Sequence, residues 1–407
     1  MNVVPKSFKI TSFPVLLSAF VSIVLLLYSF TQADLNLPIS DTPLISLLET
    51  IINYTGFFGS NFTFQHIGYF ERPLSTNLYI STMIGSFCLY GLFLYLCLKN
   101  TLTARSFAVS VGVIATILLW SYPAFSYDIF NYMFDARIVT KFQENPYLHK
   151  ALDYPQDPWL NIMRWTHRTY PYGPIWLIVT VPLSYIGFQD FGLTLYLFKL
   201  LMVGSYIGST YFIYKILAKL DKKHALFGAV FFAFNPLVIV ESLISAHNDI
   251  VMIFLALWAY YLLVQKKRLQ SILLLFLSIG MKFATIFLTP LFLLELYPKK
   301  FEISFEKKIM VGIGCMALAV VAASIRTQFQ PWYLLYVFPF AALISKEKWV
   351  QMPVFIFSAA ALGMYIPYLY TGNWNPPIPV LLNQLLAGAC ILSVIYWVFW
   401  LFKKRSV

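Results

Sequence analysis

The sequence predicts an all-α integral membrane protein, a polytopic helix bundle of about twelve transmembrane helices, and three observations carry that prediction. Only 11% of its 407 residues are charged and 59% are hydrophobic, whereas soluble domains carry roughly a quarter charged residues. Apolar runs of about 20 residues recur between charges, the length of helix that spans about 30 Å of hydrocarbon. Weakly alternating segments of the barrel kind are missing, so helices remain the only spanning structure.

Taken in order, the first run, 11–32, is too long for a signal peptide and has no convincing small-residue cleavage site, so it reads as a retained span. Spans follow at 78–98 and 107–125. The stretch 175–186 is apolar but only a dozen residues long, with proline at both ends, and reads as an interfacial or re-entrant helix. The runs 193–217, 225–243 and 250–264 come next, then the short pair 271–281 and 283–296, which suits a broken or half-depth hairpin. The last four are 309–325, 333–344, 350–368 and 380–402. Four cysteines, Cys88, Cys97, Cys315 and Cys390, all fall within spans and form neither a disulfide framework nor a metal spacing.

Net charge is +12, yet its distribution argues against a nucleic-acid partner. Most of the 29 Lys and Arg collect in alternate short turns, including Lys215–Lys223, Lys266–Arg268, Lys346 and Lys348. That is the positive-inside pattern, with both termini cytoplasmic. Counting 175–186 as a crossing would turn the run KILAKLDKKH outward and invert every later turn. Leaving it out places the segment 121–174 on the outer face of the cell membrane.

That outer segment concentrates Asp128, Asp135, Arg137, Glu144, His149, Asp153, Asp157, Arg164, His167 and Arg168 in a chain with few charges. Asp128 reads either as a marker of the water boundary or as a general base that takes a proton from a hydroxyl. Tyr122, Tyr127, Phe130, Tyr132 and Phe134 either anchor the loop at interfacial depth or stack on a sugar. Asp135 and Arg137 read as a local salt bridge or as substrate contacts. In TYPYGPIW, Tyr172 sits in a turn that cannot continue a helix, and Pro174 starts the next one.

Two further outer features stand apart. The turn SAHNDI offers donors, an acceptor and a titratable ring at His247, Asn248 and Asp249, and Glu241 lies nearer the lipid. Lys282 interrupts an apolar stretch, and Arg326 ends a span. Charged residues in spans are usually paired or functional; the alternative is snorkelling to the interface. Two outer cations suit a phosphate at headgroup depth.

Together these pieces resemble the GT-C superfamily of membrane glycosyltransferases, and within it the bacterial polyprenyl-phosphate-mannose-dependent mannosyltransferases. The matching motifs, in order, are DIFNY at 128–132, NPY at 145–147, YGP at 172–174, HND at 247–249, MK at 281–282 and PWYLL at 331–335. The resemblance implies an inverting hexosyltransferase that moves a sugar, mannose first, from a polyprenyl-phosphate donor to a glycan or lipid acceptor on the outer face of the bilayer. It implies Asp128 as base and Lys282 and Arg326 on the donor phosphate. Substrate contacts would come from Tyr132, Asp135, Arg137, Tyr172, His247, Asn248 and Asp249.

Many members of that superfamily carry the catalytic acid after the first span, whereas two further spans precede Asp128 here. The expected organisation is therefore an N-terminal hairpin with an outer loop, 1–105, before a catalytic core, 106–407, whose outer loop is 126–192. In the first loop, Asp34, Asp41, Glu49 and Glu71 stand by, with Asp41 and Glu71 as rival bases. Its sequons at Asn53 and Asn61 matter only in a cell that N-glycosylates. No metal is required by the pattern, although Asp128, Asp135 and Asp249 could supply oxygen ligands to a divalent ion. A transporter or flippase of lipid-linked sugar would place its charges at mid-membrane within repeats; a scaffold would tolerate changes at Asp128 and Lys282.

Overall fold

In the computed structural model, which describes residues 6–37, 43–56, 61–298 and 300–405, every apolar run is helical along most of its length. The first helix, α1 (Lys6–Thr31), is followed by two short helices in the first loop, α2 (Pro43–Thr55) and α3 (Phe64–Tyr69). Then come α4 (Arg72–Leu98), opened by a proline in its first turn, and α5 (Ala104–Leu119), whose N-cap Thr103 accepts from Ser106 N–H. The segment after α5 holds α6 (Asp128–Thr140) and ends on α7 (Pro174–Ile186), the short helix expected at 175–186. The next helix, α8 (Phe191–Leu220), begins at the Asp190 cap. Its 30 residues make it about 45 Å long at 1.5 Å per residue.

A bent pair follows, α9 (Ala225–Ala233) and α10 (Pro236–Ile239). Proline after Asn235 removes a donor from the ladder and disfavours helical backbone at Asn235, and the axis turns by 58° there. Asn235 stabilises the break by capping Leu237 N–H at 3.0 Å and exchanging hydrogen bonds with Ser358. A π-helical turn, Val240–Ile244, leads through a loop to α11 (Asp249–Val264). The order continues with α12 (Arg268–Met281), a 3-10 turn (Phe283–Leu288), α13 (Thr289–Leu296) and α14 (Phe305–Thr327). It ends with a 3-10 turn (Pro331–Tyr336), α15 (Phe338–Leu343), α16 (Lys348–Gly363), α17 (Ile366–Thr371) and α18 (Ile378–Arg405). Among the described residues there is no strand, only an isolated bridge between Lys150 and Thr169.

Six of these helical stretches are long and apolar enough to cross a membrane, and the bent pair makes a seventh. The expected spans at 107–125, 250–264, 271–281, 283–296 and 333–344 form helices of 10–17 residues instead. About twelve crossings are therefore not reached on helix length. The shortening has local causes: an extended residue at Lys282 and prolines at Pro290 and Pro331 divide the later runs.

The most deeply buried elements are α9, α10, the π-turn and α11, against which α8 packs; α18 lies outermost, on α16. The basic turns gather at one end of the bundle. There Lys346 bridges Asp221 at 2.8 Å and Glu306 at 3.1 Å, and Lys219 reaches Gln265 at 2.8 Å. Such partly exposed pairs are worth about 0–1 kcal/mol each; they register helix ends more than they stabilise them. The opposite end of α8 and α11 carries the segment 121–174 and the HND turn.

Candidate active site

One face of α6 presents Asp128, Tyr132 and Asp135, spaced four and three residues apart so that they line up along the helix. Asp128 sits in the first turn, where the helix dipole favours a carboxylate, and its backbone N–H is held by Ser126 Oγ at 3.2 Å. Facing it is the turn after the π-helical segment. Here Ala246 adopts φ 56°, a left-handed conformation that non-glycine residues rarely take. This reversal directs His247, Asn248 and Asp249 inward, and all three are buried.

The three side chains of the turn take separate partners. His247 Nδ1 lies 3.6 Å from Asp128 Oδ2, and its Nε2 lies 3.3 Å from Glu241 Oε2. The ring stacks on Trp332 with centroids 3.9 Å apart. Glu241, fully buried, accepts from the Tyr365 hydroxyl at 2.8 Å. Asn248 Oδ1 accepts from the Tyr132 hydroxyl at 3.4 Å, and Asp249 Oδ1 pairs with Lys282 Nζ at 2.7 Å.

Lys282 occupies the single extended residue between α12 and the following 3-10 turn. Its ammonium lies 5.9 Å from the ring centroids of Tyr172, Tyr333 and Tyr336, within cation–π reach. The YGP turn docks on this break: Gly173 N–H donates to Met281 O at 3.2 Å. A Cβ at Gly173 would lie 2.0 Å from Gly280 O, so only glycine permits the approach. The Tyr172 ring meets Tyr132 edge-on at 5.3 Å, which closes the circle between α6, the YGP turn and Lys282.

Three candidates stand apart from this circle. Arg137 does not pair with Asp135. It is buried, its Nε and NH2 each 2.9 Å from Asp157 Oδ2, its NH1 2.6 Å from Gln189, and its guanidinium 3.9 Å over Trp159. Residues two apart on a helix do not face each other, so the DAR spacing itself disfavours the local bridge. Asp135 is half-buried. Burial pushes its carboxyl up to about 7, Arg168 opposing the rise and Asp128 adding to it. Arg326 is exposed on the last turn of α14 and makes no ion pair among the described residues. The next residue, Thr327, meets the Tyr333 hydroxyl at 2.5 Å.

The first loop contributes a fastener. Asp34 is buried and binds Arg164 at 2.9 Å and the Tyr127 hydroxyl at 3.0 Å. Glu49 accepts from Phe64 N–H, and Glu71 is exposed beside His66; Asp41 lies outside the described residues. Asn53 closes its own loop through both Phe62 backbone groups. No group of three or more His, Cys, Asp or Glu able to hold a metal ion occurs among the described residues.

Sequence reasoning missed Lys199 and Tyr365. Lys199 is buried in α8 and donates to the Ser121 carbonyl and, at 2.7 Å, to its hydroxyl. A lone lysine in an otherwise apolar run was the available signal. Tyr365 carried none, because its carboxylate partner is 124 residues away. A cavity of about 200 Å³ opens beside Asp157, lined by Lys141, Phe142, Tyr154, Pro155 and Gln156; none of the circle's side chains lines it.

Residues 60–297 match the family described as Alpha-(1->6)-mannopyranosyltransferase, N-terminal domain. The match covers more than half of the chain, and the chain belongs to that family. No curated protein and no solved structure matches it.

Proposed function

From this membership in a mannosyltransferase family, we propose that the chain transfers mannose from a polyprenyl-phosphate donor to a hydroxyl of a glycan or lipid acceptor, with inversion. The family's description suggests an α-(1→6) bond as the product. The acceptor O–H gives its proton to Asp128 as its oxygen attacks the anomeric carbon. The bond from that carbon to the phosphate oxygen breaks on the opposite side, and its electron pair stays with the phosphate. A phosphate leaving group needs charge stabilisation more than a proton, and in this reading Lys282 supplies it together with Arg326.

The observation that carries this reading is the HND turn. Through His247 and Asp249, two residues apart, it touches Asp128 at 3.6 Å and Lys282 at 2.7 Å, so base and phosphate cation would share one mount. Tyr132, Tyr172 and the neutral form of Asp135 offer rings and donors to sugars. The segregation of basic turns to the opposite end supports an outward-facing site by the positive-inside rule, with both termini cytoplasmic.

Asp128→Asn should lower mannosyl transfer by about 10²–10⁴-fold, the usual worth of a general base, while donor binding persists. The assay is transfer of labelled mannose from the polyprenyl-phosphate donor by purified protein in lipid. Wild-type turnover by Asp128→Asn sinks the assignment of the base. Movement of intact donor across proteoliposomes without a new glycosidic bond would favour a flippase instead.

A further inference from the structure

We propose that Glu241 and His247 form a positioning pair for Asp128, a carboxylate–imidazole support that fixes one oxygen of the base and leaves the other to the acceptor. The proposal rests on the reading of Asp128 as base and adds two residues to it.

The geometry is that of a ring held at both ends. His247 is fully buried, and neither ring nitrogen meets hydrogen-bond geometry with any of the described residues. What faces each nitrogen is a carboxylate oxygen, Asp128 Oδ2 on one side and Glu241 Oε2 on the other. A neutral imidazole has one N–H and serves only one of the two; the doubly protonated ring donates to both. Its plane is set by Trp332, stacked at 3.9 Å, so the nitrogens cannot exchange places without unstacking.

Glu241 is the second half of the argument. A fully buried carboxylate is expensive unless paired, and this one faces the imidazole nitrogen opposite the one that faces Asp128. Tyr365 satisfies Oε1, while Oε2 faces only the imidazole. It is presented by the π-helical turn Val240–Ile244, a distortion that proteins often place at functional sites. The titratable groups around the pair are Asp128 from α6, Tyr365 from the α16–α17 junction, Tyr79 from α4, and Asp249 with Lys282 one residue beyond Asn248. Tyr365 and Tyr79 hold hydrogen bonds of their own, and Asp249 is paired. The ring's two carboxylates are thus its own contacts.

The test is kcat and donor KM of mannosyl transfer for wild type, Glu241→Gln, His247→Asn, His247→Ala and Asp128→Asn. Losing the Glu241 carboxylate should loosen the ring that holds one oxygen of Asp128, and so reduce kcat about tenfold or more with the donor KM unchanged. His247→Asn keeps an amide donor near the Nδ1 position and should retain more activity than His247→Ala. A role in folding alone would lower the yield of folded protein and leave kcat of what folds unmoved. Wild-type kcat in Glu241→Gln, or His247→Asn no more active than His247→Ala, overturns the pair. If Glu241→Gln does not insert, the ranking of His247→Asn over His247→Ala decides. An active Asp128→Asn overturns the base itself; an inactive one beside a wild-type-like Glu241→Gln overturns only the support.

Discussion

Gly173→Ala isolates the docking of the YGP turn on the Lys282 break without altering a charge. The new Cβ would lie 2.0 Å from Gly280 O, 2.7 Å from Gly280 C and 3.3 Å from Met281 O. All three are backbone atoms, so relief requires one chain segment to move by about 1 Å or more. Overpacking of this kind costs about 1–3 kcal/mol, and loss of the Gly173 N–H bond to Met281 O adds about 1 kcal/mol. The chemical consequence is larger. Tyr172 and Lys282 flank the contact, and a 1 Å misplacement of positioning groups costs about 10²-fold in rate. The assay is mannosyl transfer together with thermal unfolding in detergent: kcat should fall about a hundredfold, with a loss of a few degrees in Tm. Gly280→Ala is the control, since its Cβ meets the Ile175 side chain at 2.5 Å, which can turn away. A Gly173→Ala enzyme within threefold of wild-type kcat, or one less affected than Gly280→Ala, would refute the reasoning.

Lys282→Met should remove phosphate stabilisation and strand Asp249, a loss of about 3–5 kcal/mol for a broken buried pair. Adding Asp249→Asn should restore the thermal midpoint but not turnover, which separates the two effects. Arg137→Ala leaves the buried Asp157 carboxylate with Lys141 as its one cation among the described residues, beside the Trp159 N–H, so the midpoint should drop by an amount equivalent to about 3 kcal/mol. Donor KM in whatever folds should stay unchanged; a KM effect at full stability would make Arg137 a substrate contact. Asp135 carries a folded-state pKa near 7 against an ordinary 3.8. Its native form therefore binds more protons than the unfolded chain between those values, and stability falls as pH rises through that window. Asp135→Asn should be more stable than wild type at pH 8 and no different below about pH 4, read by denaturation at each pH.

Helices were legible because hydrophobic runs and their bounding charges are local signals, and so was the grouping of Asp128, HND and MK at one end. The crossing count was less so. Nothing in the composition of 225–243 distinguishes a straight span from the bend at Asn235–Pro236 and the π-turn after it, except the proline. Pair identities were the least legible. Arg137 chose Asp157, 20 residues on, over Asp135 two residues back, and Glu241 met Tyr365 across 124 residues. Such choices depend on which helices pack together, and no local spacing records that. Lys199 could have been flagged on the same ground as Lys282, as a lone charge in an apolar run. Its purpose, bonding the Ser121 carbonyl and hydroxyl, needed the packed bundle to be seen.

These pairings also explain how Asp128, at the start of α6 within a long connecting segment, is held in position. The segment from Ser121 to Pro174 is fixed by several distant parts of the chain. Lys199 of α8 binds its first residue, Asp34 binds Tyr127 and Arg164, and Met281 receives Gly173 at its end. Ser29 Oγ adds a further bond, from Tyr122 N–H at 3.0 Å. Ser29 belongs to α1 and Asp34 lies just after it, so the start of the chain bonds directly to the segment that carries Asp128. Connecting segments are precise where a rigid scaffold holds them, and here the scaffold includes the first helix. Loss of Asp34 would free Arg164 and Tyr127 together, and Tyr127 is the residue just before Asp128. Its consequence should therefore appear in kcat before it appears in stability.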